Sequence, residues 1–108
     1  MINQKVTIPT GLKIFILILI IRYTQSVIGL VSVYIMVKVT AGKDKEVFAK
    51  IQKLKEIKEA NVTYGAYDLI LRVEFSTIED VDEFVFNVVR RIPGVSETVS
   101  MIVAKRIV

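Results

Sequence analysis

The clearest order in this chain is an alternation of two hydrophobic periods. Val33 to Val39 (VYIMVKV) is β-branched and apolar on almost every position, the profile of a buried strand. Thr40-Ala41-Gly42 interrupts it. From Asp44 to about Ile57 the period changes: Val47, Phe48, Ile51 and Leu54 share one face of a helix. Lys45, Lys53 and Glu56 lie opposite, and Glu46 and Lys50 make an i,i+4 pair. Ala60 to Tyr64 and Tyr67 to Phe75 (YDLILRVEF) read as two strands joined by a hairpin turn at Gly65-Ala66. Ser76 followed by Glu79 is a capping-box signal for a second helix. Ile78, Val81, Phe84, Val85, Val88 and Ile92 mark the apolar face of that helix. Its first turns carry Glu79, Asp80, Asp82 and Glu83 and its last Arg90 and Arg91, both in keeping with the helix dipole. Pro93-Gly94 ends it, and Val99 to Val108 reads as a final strand.

The predicted order is β-α-β-β-α-β. Two βαβ halves with these connections fit an α+β, ferredoxin-like domain. Right-handed crossovers place both helices on one face of a four-stranded antiparallel sheet. The other face has no cover within the chain, and the strands are apolar on both sides. Val33, Ile35, Val37 and Val39 are backed by Tyr34 and Met36, Leu69, Leu71 and Val73 by Ile70, and Met101 and Val103 by Ile102. An apolar sheet face left open marks an interaction surface. The pattern therefore predicts a homodimer in which two sheets pack face to face.

Residues 1–30 stand apart from this domain, which occupies residues 31–108. Ile14 to Ile21 is an unbroken apolar run, bounded by Lys13 and Arg22. It falls well short of the roughly 20 residues of a spanning helix. Its length suits the core of a secretory signal, but no small-x-small cleavage site follows closely. Three readings stay open: a membrane-associating or signal-like tail, an arm that packs on a partner, or a segment outside the functional protein.

Charge is distributed unevenly across the 108 residues. Lys5, Lys13 and Arg22 are the only charged side chains of residues 1–30, whereas residues 31–108 carry twelve basic and eleven acidic groups. The patterned domain is thus nearly neutral. No cluster of Arg and Lys with interleaved aromatics is present, so no direct nucleic-acid binding is expected. The chain has neither cysteine nor histidine. Disulfides, thiolate sites, zinc hydrolase motifs and Ser-His-Asp triads are excluded. The carboxylates, lysines and tyrosines form no recognisable catalytic set. No metal or cofactor site is expected, and the domain is expected to be cytoplasmic.

One segment departs from plain fold-building. Val62-Thr63-Tyr64-Gly65-Ala66-Tyr67-Asp68 surrounds a glycine turn with two tyrosines and a carboxylate. A hairpin needs the glycine for its backbone conformation but not these neighbours. The tyrosines and the acid suit a small polar ligand. They are also ordinary company for a strand, and the residue types alone leave both readings open.

The order of elements, the Val-Thr-Tyr-Gly-Ala-Tyr-Asp-Leu turn, and Ile92-Pro93-Gly94-Val95 followed by Thr98-Val99-Ser100 together resemble the effector-binding domain of the Lrp/AsnC family, over about residues 31–108. The resemblance implies dimers formed through the sheets, further association of dimers, and small effectors, commonly amino acids, bound at contacts between dimers. It implies that Gly65 gives close backbone approach, that Ala66 lines the site with it, that Tyr67 walls the site and that Asp68 takes the ligand's amino group. Thr98 and Ser100 would approach from a neighbouring subunit. The family's usual Thr-Gly before x-Tyr-Asp is here Thr63-Tyr64-Gly65, so Tyr64 is a further residue expected to shape the site. Full-length members carry an N-terminal helix-turn-helix of roughly 50–60 residues, about three short helices. The residues preceding Val31 do not have that spacing. The expected function is a non-enzymatic, stand-alone effector-binding module, able to modulate full-length regulators of the same family. The alternatives are a small dimeric α/β-barrel enzyme, against which the missing histidine argues, and a membrane-tethered binding module dependent on Ile14–Ile21.

Overall fold

In a computed structural model the described residues are 7–108, with the side chains of residues 22–28 left out of the description. Helix α1 (Thr10–Ile28) precedes the sheet domain. Then follow β1 (Val31–Val39), α2 (Asp44–Gln52), β2 (Ile57–Val62), β3 (Leu69–Phe75), α3 (Ile78–Phe84) and β4 (Val95–Ile102), with a π-helical segment, Val85–Val89, continuing α3. The sheet order is β2-β3-β1-β4, every neighbouring pair antiparallel. This is the ferredoxin-like arrangement expected from the pattern of periods.

The period-2 alternation of the central strands decides which side chains meet the helices. Val33, Ile35 and Val37 of β1 pair with Val73, Leu71 and Leu69 of β3. All six are buried. Val47 and Ile51 of α2, Val81 and Phe84 of α3, Val85 and Val89 of the π segment, and Ile92 complete the core above them. No polar side chain is buried among the described residues.

Element ends differ from the sequence reading, and each difference has a local cause. Helix α2 stops at Gln52, one turn earlier than its periodicity suggested, and Ile57 already belongs to β2. The β2–β3 connection is correspondingly longer: Tyr64 lies beyond β2, and Tyr67 and Asp68 lie before β3. The N-cap of α3 is Thr77 rather than Ser76. The Thr77 hydroxyl accepts a 3.1 Å hydrogen bond from the Asp80 amide, so the capping signal shifts by one residue. The second helix is not α-helical to its end. The Arg90 amide bonds back to the Val85 carbonyl at 2.9 Å, a five-residue step that widens the last turn. Strand β4 begins at Val95 and ends at Ile102, not Val99 to Val108; four of its residues lie upstream of the predicted start.

Helix α1 exposes Leu12 and every residue from Ile14 to Ile21. These described side chains take no part in the domain core. Among the described residues no helix is long and apolar enough to cross a membrane.

Candidate functional site

The loop between β2 and β3 carries the residues singled out by sequence. Gly65 has φ +131°, a conformation that favours glycine, and open space surrounds the position its Cβ would take. Conformation, not crowding, requires this glycine. Tyr64 is fully exposed, Ala66 is exposed, and Tyr67 and Asp68 are half-buried.

Three hydrogen bonds fasten the loop. The Thr63 amide donates to the Asp68 carbonyl at 2.9 Å, and the Thr63 hydroxyl to the Tyr67 carbonyl at 2.8 Å. The Asp68 amide donates to the Val37 carbonyl at 2.9 Å. The Asp68 side chain then reaches one step further along β1, where its Oδ2 accepts from the Val39 amide at 2.7 Å. The chain leaves β3 at this level, and the carboxylate replaces the ladder carbonyl that Val39 has lost. No donor among the described residues meets Oδ1. Asp68 thus has a structural duty on one oxygen and an available acceptor on the other.

Tyr67 extends across β1. Its hydroxyl donates to Glu97 Oε1 on β4 at 3.4 Å, linking the loop to the far edge of the sheet. Between Lys38 and Val39 the β1–β4 register shifts, with Lys38 opposite Glu97 and Val39 opposite Val95. The intervening Ser96 turns its hydroxyl to the Lys38 carbonyl at 3.1 Å. The structure therefore brings Tyr67 and the start of β4 together. Thr98 and Ser100 pair with Val37 and Ile35, so they lie on the helix side of an edge strand, Thr98 half-buried and Ser100 exposed. Neither makes a hydrogen bond with the loop of its own chain.

The uncovered sheet face has an apolar centre formed by Tyr34, Met36, Ile70, Val99 and Met101. Of the residues expected here, Ile102 instead pairs with Val33 and shares the helix side. The face also holds charges that the sequence reading passed over. Arg72 sits mid-strand on β3, 3.0 Å from Glu74 and 3.8 Å from Glu59. With Tyr34 and Arg106 these groups line an open depression of about 430 Å3. The signal was present as the one arginine inside the apolar run Leu69–Val73. A second cleft, of about 90 Å3, lies at the β4 edge and is lined by Arg90, Val95, Ser96, Glu97 and Thr98. Arg90 and Glu97 were not singled out by sequence, because helix-end arginines and edge-strand glutamates are ordinary surface residues. Among the described residues no cluster of acidic side chains is arranged to hold a metal ion.

Residues 32–108 match the family model of the Lrp/AsnC ligand-binding domain. The HTH-type transcriptional regulator FL11 of Pyrococcus abyssi is 39% identical over 72 residues, which cover 67% of this chain and 47% of the regulator. The chain spans about half the length of the curated relatives it matches. Among solved structures, FFRP-DM1 is 41% identical with a TM-score of 0.64, covering 68% of this chain and 97% of that one. A complex of the transcriptional regulator NMB0573 of Neisseria meningitidis with L-Met has a TM-score of 0.68 at 20% identity, covering 98% of this chain and 62% of that one. At that identity the likeness is one of fold.

Proposed function

This chain belongs to the Lrp/AsnC ligand-binding domain family, and from that premise we propose that it is a non-enzymatic, cytoplasmic sensor of a small effector, an amino acid, that acts by changing its own assembly. The observation that carries the reading is the latched loop: Asp68 is fixed through Oδ2 to Val39 and keeps Oδ1 for a donor. A carboxylate immobilised in this way binds an ammonium without first losing conformational freedom. Gly65 and Ala66 supply exposed backbone, Tyr67 one wall, and Tyr64 a second aromatic that a neighbouring subunit has room to cover. Thr98 and Ser100 approach from that neighbour.

Two copies pair through the open sheet faces, burying Tyr34, Met36, Ile70, Val99 and Met101, and the dimers associate further. An effector at a contact between dimers favours whichever assembly buries it better. The regulator NMB0573 crystallised with L-Met is in keeping with an amino-acid effector for this fold. Relatives named as transcriptional regulators support a role in transcription, exerted through co-assembly with a full-length regulator.

A thermal-shift screen with the twenty common amino acids tests the reading. One or a few of them raise the melting temperature, because a ligand that binds only the native state stabilises it. A flat response to all twenty removes the amino-acid assignment.

A further inference from the structure

The effector reading provides a group for the ammonium end of an amino acid, Asp68, but none for its carboxylate. Candidate cations in the domain are distinguished by what already surrounds them. Arg72 lies between Glu74 and Glu59, so its charge is answered within the chain. Arg90 has no carboxylate within ion-pair distance among the described residues. It is nevertheless oriented: its guanidinium lies 5.0 Å from the centroid of the Phe86 ring. Stacking on an aromatic face holds the planar fork and leaves its edge N–H groups for another partner.

The backbone explains why Arg90 stands there. It follows the π-helical segment Val85–Val89, and its amide closes the five-residue step to Val85. Such widened turns recur at functional sites. Here the widened turn leads Arg90 into the cleft beside Ser96, Glu97 and Thr98. One of these leads back to the effector reading: Thr98 is one of the β4 residues assigned to the ligand, and it lies on the helix side with Arg90, whereas the side chain of Glu97, opposite Lys38, points to the other face. Ser96 is committed to the Lys38 carbonyl and fixes the cleft floor.

We propose that Arg90 is the carboxylate-binding, specificity-determining residue of the effector site, presented by the end of the π-helical segment beside Thr98 of β4. The inference rests on the amino-acid reading above. Its guanidinium edge donates two parallel hydrogen bonds to the α-carboxylate, the geometry in which arginine exceeds lysine. The Thr98 hydroxyl adds a third donor. The ligand class follows: a zwitterion with a free carboxylate, and not the corresponding amine.

The test uses the full chain. The twenty common L-amino acids and their decarboxylated amines are titrated into wild type, Arg90→Gln and Arg90→Lys by calorimetry, with circular dichroism confirming the fold of each variant. Arg90→Gln weakens binding of the amino acid at least tenfold, about the effect of losing one charge-assisted contact. Arg90→Lys, which keeps the charge but loses the fork, gives a smaller loss. Any binding of the amine is the same in all three proteins. If no amino acid binds wild type, the effector reading itself fails. If an amino acid binds wild type and Arg90→Gln equally well, or if amine and amino acid weaken in parallel, the assignment of Arg90 is overturned while that reading stands. Should Arg90→Gln not fold, an unchanged affinity in Arg90→Lys overturns the assignment in the same way.

Discussion

The carboxylate of Asp68 holds the backbone amide of Val39 at 2.7 Å. It does so where β3 has turned out of the sheet and β1 still has a donor to satisfy. A residue marked by sequence as a ligand contact is therefore also a ladder component. Replacing Asp68 with Ala leaves the half-buried Val39 amide without its partner. We expect a loss of about 1 kcal/mol in chemical denaturation, the lower end of the cost of an unsatisfied donor, because this amide is only partly shielded from water. Asp68→Asn retains an acceptor oxygen and is expected to lose less. Loss of an effector response in Asp68→Asn, with stability largely kept, is thus the cleaner sign of a ligand role. Equal destabilisation by Asn and Ala would contradict the ladder account.

Gly94, in the turn immediately before β4, lies against the start of α2. Its φ is +103°, and a Cβ there would lie 2.7 Å from Lys43 Cβ and 2.9 Å from Val47 Cγ2. Its carbonyl also accepts from the Thr40 amide at 2.7 Å. Gly94→Ala combines a disfavoured backbone conformation with a clash against a buried valine. A destabilisation of about 2–4 kcal/mol is expected from these two costs together. Gly65→Ala has the conformational cost but open space around the new methyl, so it is expected to cost less. Urea denaturation of the two variants side by side checks the order.

The capping residue of α3 separates two readings of the same sequence. Thr77→Ala removes the hydroxyl that receives the Asp80 amide and should cost about 1 kcal/mol. Ser76→Ala should leave stability within about 0.5 kcal/mol, as at an ordinary surface position. A larger effect at Ser76 than at Thr77 would restore the capping box as first read.

Pairing through the open face is tested by charge. Ile70 and Met36 face each other across the central strands, away from the helices. Ile70→Glu puts an unpaired carboxylate into the apolar centre of the expected contact. It should convert a dimer to a monomer in light scattering, with the circular dichroism spectrum unchanged. A substitution at Lys45, on the exposed surface of α2, should leave the dimer intact. A dimer that survives Ile70→Glu does not use this face.

Leu71 gives the stability reference for the helix side. It is fully buried, paired with Ile35 on β1 and packed beneath the helices. Leu71→Ala should cost about 2–5 kcal/mol by creating a cavity. Its neighbour Arg72, with its side chain on the open face, should be far more tolerant in the isolated domain. The contrast between adjacent positions reads out the alternation of the strand by denaturation.

What the sequence by itself determined is the order of elements and the two-sidedness of the sheet. Both follow from periodicity: Val33, Ile35 and Val37 repeat every second residue, while Val81, Phe84, Val85 and Val88 repeat with the helical turn. These spacings constrain every residue in a segment at once, so they survive local ambiguity. Element ends depend on single hydrogen bonds, and there the tertiary structure decided. Thr77 rather than Ser76 caps α3 because its hydroxyl, not its neighbour's, meets an amide. Helix α2 yields to β2 at Ile57 because pairing with Val73 outweighs the continuation of a helical pattern. The site divides in the same way. The unusual company of Gly65 marked the loop, since tyrosines and an acid around a turn are visible in one short segment. The bond from Val39 to Asp68, the reach of Tyr67 to Glu97 and the place of Arg90 beside Thr98 join residues far apart in the chain. Only the antiparallel register and the widened π turn bring those groups together, and no local pattern encodes that proximity.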